Sequence, residues 1–179
     1  MQQAYAIIHT YHEIIQIGLL ADEDNVSVCQ MAATPIELGS VNDFGSGYFY
    51  ESFFKFLKEM TSNKGAPAYP TGGYYYDIDS FIRDPGRPSR YFSYVPEGRD
   101  IKEVGLYIVA YKRGYYGNLG NVPERIKSYA SEQGYVFTGP IYEMYPHDEI
   151  AIDDYDRYLI QISASVKKRE ANMRNLLQV

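Results

Sequence analysis

The stretch Gly139-Pro140-Ile141-Tyr142-Glu143-Met144-Tyr145 places a carboxylate inside an aromatic, strand-like run, and Gly73-Tyr74-Tyr75-Tyr76-Asp77-Ile78 echoes it upstream. Each reads Gly, two residues, Tyr, then an acid, and each follows a helical pattern. Sliding the first half onto the second lays Gly73 on Gly139, Tyr76 on Tyr142, Asp77 on Glu143 and Phe92 on Tyr158. Both halves then read strand, helix, strand, strand. The echo predicts an internally duplicated α+β fold in which Asp77 and Glu143 hold equivalent places. Glu143 is expected to serve a ligand, and Asp77 to be structural or paired with an arginine.

Working outward, Ala4 to Leu20 reads as a helix with Ala4, Ile7, Ile8, Tyr11, Ile14, Ile15 and Leu19 on one face. Val26–Met31 alternates as a strand, and 34–44 continues as an extended piece. Phe49, Phe53, Phe56, Leu57 and Met60 form the apolar stripe of a second helix, stopped by Asn63-Lys64-Gly65-Ala66-Pro67. Strands are expected at Gly73–Ile78 and Arg90–Val95, with a turn cluster at Arg83–Pro88 between them. The second half repeats this order. Val104–Tyr111 reads as a strand and Gly114–Gly120 as a loop. A helix follows, capped by Asn121 with Pro123 in its first turn and ended at Gly134. Phe137–Tyr145 and Tyr158–Val166 read as strands, and the 167–179 tail as a short polar helix. The expected organisation is an N-terminal helix or connector over 1–25, a domain over 26–166 with pseudo-repeats at about 26–98 and 101–166, and the tail.

Composition narrows the function classes. The chain has 179 residues with 20 Tyr, 8 Phe and no Trp, and a formal net charge of −6. Tyr is wall material, apolar across its ring and hydrogen-bonding at its tip. A nucleic-acid surface needs clustered Lys and Arg, and the densest basic run here is only Lys167-Lys168-Arg169; direct nucleic-acid binding is not expected. The single Cys29 excludes an intrachain disulfide and fits a reducing cytoplasm, and no apolar run approaches membrane-spanning length. His9 and His12 lack a third metal ligand, His147 reads as a surface histidine, and the Gly114–Gly120 loop lacks the lysine of a phosphate cradle. No metal and no cofactor is expected.

The chemistry therefore centres on Glu143. In a strand, Ile141, Glu143 and Tyr145 share one face while Tyr142 and Met144 take the other. If the Glu143 face is the buried one, its carboxylate costs several kcal/mol unless an Arg or Lys, tyrosine hydroxyls or a cationic ligand compensates it. The alternative puts Tyr142 and Met144 inside and Glu143 in solvent. If the Val104–Tyr111 strand lies beside that of Glu143, Tyr107 and Tyr111 form an aromatic wall, each cation contact being worth ~0.5–2 kcal/mol.

The runs Glu103-Val104-Gly105-Leu106-Tyr107, Gly114-Tyr115-Tyr116-Gly117, Gly139 to Tyr145 and Tyr158-Leu159-Ile160-Gln161-Ile162 resemble the GyrI-like effector-binding domain. That domain is the ligand-sensing half of MerR-type multidrug-responsive transcription activators, and also occurs with AraC-type regulators and alone. The resemblance covers about 26–166. It implies duplicated βαββ (SHS2-type) units, an antiparallel sheet with helices on one face, and a ligand cleft between the halves. It also implies a sensor of lipophilic, aromatic, cationic molecules. Carried onto this chain, the pocket glutamate would be Glu143, with Tyr145, Tyr107, Tyr111 and Tyr75 as aromatic neighbours and Glu37 as the rival carboxylate. Where a MerR-type regulator begins with a DNA-binding unit and a long dimerisation helix, this sequence has only the Ala4–Leu20 helix, so it is expected to be either a fragment or a sensor without its own DNA reader. A homodimer through that helix is a further expectation. GyrI-like hydrolases and protein-binding members give the alternatives: a small-molecule hydrolase with Glu143 as base, or an inhibitor module.

Overall fold

The computed structural model describes residues 2–44, 49–64, 70–148 and 152–170. In chain order the elements are α1 (Gln2–Leu19), β1 (Val26–Met31), β2 (Thr34–Val41), α2 (Phe49–Lys64), β3 (Thr71–Tyr75), α3 (Ile78–Arg83), β4 (Arg90–Ser93), β5 (Asp100–Lys102), β6 (Gly105–Arg113), α4 (Val122–Glu132), β7 (Tyr135–His147), a 3-10 turn at Tyr155–Arg157, and β8 (Leu159–Lys168). The strands form one curled antiparallel sheet in the order β1-β6-β8-β7-β3-β4-β2-β5.

That order carries the duplication. Matching β2, α2, β3 and β4 with β6, α4, β7 and β8 makes it read alike from both ends, with β3 against β7 at the junction. The outermost strands are exchanged. β1 precedes β2 but pairs with β6, and β5 precedes β6 but pairs with β2. Each half thus closes the other half's edge, which blunts the exposed ladder of an edge strand.

Register assigns the faces. Ile141 and Glu143 of β7 lie on one face with Ala164 and Ile162 of β8, Ile108 and Ala110 of β6, and Gly73 and Tyr75 of β3. Helix α4 buries Val122, Ile126 and Ala130, and α3 buries Phe81, against this face. Helix α2 covers its far end, where Phe56 and Met60 pack on Tyr91 and Val95. Each fully buried Ile or Phe contributes about 1.5–3 kcal/mol. The opposite face carries Tyr142, Tyr107, Val109, Phe92 and Ile36. Helix α1 meets the sheet at β7 and, through Ile14 and Ile17, walls a groove with Met144 and Gln161 of that opposite face.

The α+β architecture expected from the sequence is what the chain forms, with local corrections. Strand β3 stops at Tyr75, and Asp77 instead caps α3. Its Oδ1 accepts from the Ser80 N–H at 2.7 Å, and Ser80 Oγ accepts from the Asp77 N–H at 3.2 Å. Asp77 is exposed and is no counterpart of Glu143; the residue across the junction from Glu143 is Gly73. Asn121 stands at the start of α4, but its side chain makes no capping bond. In α1 the expected stripe splits. Ile14 is buried, whereas Ile8, Ile15 and Leu19 face solvent. The docked face is fixed by Gly18, where an added Cβ would come within 2.2 Å of the His147 ring, so His147 is buried rather than on the surface. Lys167 and Lys168 extend β8; the rest of the expected tail helix, beyond Glu170, and the helix stop beyond Lys64 lie outside the described residues.

Candidate ligand site around Glu143

Glu143 sits where the two halves meet, and none of its surface reaches solvent. The ladder places it opposite Gly73 on β3 and Ile162 on β8, and Gly73 in turn opposite Tyr91 on β4. The row therefore runs Ile162, Glu143, Gly73, Tyr91 between the α3/α4 core and the α2 core. Gly73 leaves a notch in that row. A Cβ there would stand 2.8 Å from Pro88 Cβ and 3.3 Å from Glu143 Oε2.

Two phenols hold the carboxylate. Tyr75 Oη donates to Glu143 Oε2 at 2.8 Å, and Tyr145 Oη donates to Glu143 Oε1. Tyr75 Oη accepts in turn from the Gly86 N–H at 2.9 Å. Burial holds the Glu143 carboxyl above the usual carboxylate range, while the hydrogen bonds from Tyr145 and Tyr75 pull the other way. Burial first, and the Glu143 charge second, push both phenols well above their ordinary value, so they stay donors. Among the described residues no lysine, arginine or histidine pairs with Glu143. The Tyr91 hydroxyl is also buried without a hydrogen-bond partner there.

An aromatic shell surrounds this centre. Tyr116 meets Tyr145 edge-on at 4.6 Å, and Phe81 meets Tyr75 at 5.0 Å. Two glycine-centred loops close over it. Gly86 has φ 87° and Gly117 φ 72°, and a Cβ on Gly86 would lie 2.7 Å from the Gly117 carbonyl oxygen. Only glycine tolerates both that backbone and that approach.

Of the residues singled out in the sequence, Glu143, Tyr145 and Tyr75 come together. Tyr107 and Tyr111 do not join them. Strand β8 lies between β6 and β7, and the register pairs Tyr107 with Ser165 and Tyr111 with Gln161, on the other face from Ile162 and Glu143. The Tyr107 hydroxyl donates to the Glu103 carbonyl at 2.8 Å, and Tyr111 Oη accepts from Gln161 Nε2 at 3.0 Å. Glu37 is buried, with 3% exposure, but it has a cation of its own: Arg99 Nη2 and Nε both reach its Oε1, the latter at 2.6 Å. Sequence reasoning missed Gly73, Tyr91 and Gly86. Their role follows from cross-strand register and loop contact, for which the sequence carries no local signal.

No protein-family model matches the sequence, and no curated protein matches it. Solved structures do. The C-terminal domain of EcmrR matches with a TM-score of 0.55 at 14% identity, over 80% of this chain and 98% of that one. EcmrR in its complex with DNA matches with a TM-score of 0.57 at 14% identity, over 93% of this chain and 67% of that one. A looser match, SAV2435 bound to tetraphenylphosphonium, has a TM-score of 0.46 at 14% identity over 80% of this chain and 94% of that one, and establishes nothing for this chain. At these identities the likeness is one of fold: the chain carries the GyrI-like α+β fold of the EcmrR C-terminal domain.

Proposed function

We propose that this chain is a small-molecule sensor domain whose site, centred on Glu143, takes a lipophilic aromatic cation. The observation that carries the reading is a fully enclosed carboxylate held by two neutral phenols and paired with no cation among the described residues. Such a charge is costly until an opposite charge arrives. A flat cation would neutralise it and bury apolar surface against the tyrosine shell at the same time. The Arg99 ion pair leaves Glu37 without that vacancy, which makes Glu143 the pocket carboxylate in this reading.

The site is closed over, so binding requires movement. The Tyr75–Gly86 hydrogen bond and the Pro88 contact hold the 84–89 turn in place, and both lie where the ligand would enter, between that turn and the 114–120 loop. Occupancy is thereby coupled to the conformation of those loops. The readout belongs to a transcription regulator, in which this chain senses and a separate unit or partner contacts DNA.

The test is a titration of N-methylquinolinium and neutral quinoline against the wild type and Glu143→Gln. The reading requires the cation to bind more tightly than quinoline, and the preference to vanish in the variant. Equal binding by the wild type sinks it. Turnover of a small ester that Glu143→Gln abolishes would move the assignment to a hydrolase.

A further inference from the structure

The opposite face of the sheet carries a second buried charge that the Glu143 site does not use. Lys102, at the end of β5, is 4% exposed. Its Nζ donates to Ser163 Oγ at 2.9 Å and lies 5.0 Å from the centroid of the Tyr107 ring and 4.7 Å from that of Tyr142. No carboxylate among the described residues pairs with it. Burial pushes the ammonium down to about 8, opposed by the nearby Cys29 thiol, so at neutral pH it is mostly charged, and its partners among the described residues are neutral.

Lys102 also lines a groove of about 340 Å³ between α1 and the sheet, within the usual range for ligand pockets. Ile14, Ile17, Met31, Val95 and Met144 supply apolar walls, and the Gln161 amide stands beside them. Glu13 also lines the groove, but it is exposed and faces His9 at 3.6 Å. The rings that would attract a ligand cation already hold the chain's own ammonium. What the groove lacks is an anion with an apolar body.

We propose that this groove binds a small amphipathic carboxylate, its carboxylate on Lys102 Nζ and its hydrocarbon body along the walls formed by α1, Met31 and Met144. The two faces of one sheet then select opposite charges, an anion at Lys102 and a cation at Glu143. The site is independent of the Glu143 reading, because no residue is shared between them.

The experiment is calorimetric titration of the whole chain with sodium octanoate, octanamide and octylammonium. At pH 7 octanoate is expected to bind about tenfold or more tightly than octanamide, and octylammonium least tightly. Lys102→Met, which fills similar space without the charge, is expected to lose the octanoate preference, while Glu143→Gln keeps it. The preference is also expected to fade as pH rises past about 8, because the ammonium then gives up its charge, while the Cys29 thiol and the phenols of Tyr94, Tyr107 and Tyr142, all pushed up by burial, can supply no positive charge in its place. Should Lys102→Met fail to fold, the Lys102 Nζ resonance in the wild type decides, since octanoate must raise the pH at which it titrates. Equal binding of octanoate and octanamide overturns the proposal. So do tighter octylammonium binding, an unmoved Nζ titration, and no octanoate binding at about 10 mM, which is weaker than a millimolar complex.

Discussion

Gly73 faces Glu143 across the β3–β7 ladder, at the line where the two halves of the sheet join, and a methyl group on Gly73 would stand 3.3 Å from Glu143 Oε2. The missing side chain gives the carboxylate its room, and Pro88 closes the space from above. A duplicated fold has thus diverged at its own junction, with one half supplying a charge and the other a gap.

Gly73→Ala is expected to push the Pro88 turn outward and to cost about 1–3 kcal/mol, the usual range for overpacking a filled interior. Chemical denaturation measures the loss. Wild-type stability in the variant would show that the notch is not needed.

Glu143→Gln is expected to stabilise the free protein at neutral pH by about 1–3 kcal/mol, since a neutral amide replaces a buried charge that two phenols solvate but no cation among the described residues neutralises. The sign with pH follows from the raised folded-state carboxyl. Folding then favours the protonated form, so the wild type loses stability as pH rises through the ordinary glutamate value and up to the raised one. The gap between variant and wild type should therefore be small near pH 4, widen as pH rises, and level off. Thermal melts across that range check it, and a gap that narrows with rising pH is the contrary result.

Tyr75→Phe removes the donor to Glu143 Oε2 and the acceptor of the Gly86 N–H in one step. The expected cost is about 1–3 kcal/mol for buried groups left unpaired. The 84–89 turn should also loosen, which hydrogen exchange at the Gly86 amide reads directly. Unchanged exchange there would mean that the Tyr75 bond does not hold the turn.

Asp77→Ala is expected to cost about 1 kcal/mol through loss of the α3 cap and to leave ligand affinity untouched. The Ser80 N–H and hydroxyl hold the Asp77 carboxyl below the usual carboxylate range. Its contribution is therefore present above the ordinary aspartate value and lost as pH falls through the depressed one. Asp77→Asn, which keeps a capping oxygen, should retain most of the stability.

Much of the architecture was legible because it rests on periodicity. The stripe of α2, the alternation of β1, and the Gly and Pro punctuation each act within one element. The placement of Glu143 among tyrosines was legible for the same reason, since a strand's alternation puts Tyr145 on its face. Tyr107 and Tyr111 went to the wrong face because face is set by register and strand order, and a slip of one residue inverts it. Nothing in the sequence says that β8 separates β6 from β7. Helix α3 spans only Ile78–Arg83, too short for a periodic signal, though Asp77 and Ser80 stand at cap spacing. Lys102 sits in the charged run Arg99-Asp100-Ile101-Lys102-Glu103, which carries no apolar pattern that would mark a buried position. Only its pairing with β2 turns it beneath the sheet.

The measurement that bears most directly on the central claim is the titration of the Glu143 carboxyl carbon by NMR, with and without N-methylquinolinium. In the free protein it is expected to titrate above ordinary glutamates. With the cation bound it should titrate lower, because a neighbouring positive charge favours the ionised form. A Glu143 titration that the bound cation leaves unmoved would contradict the account.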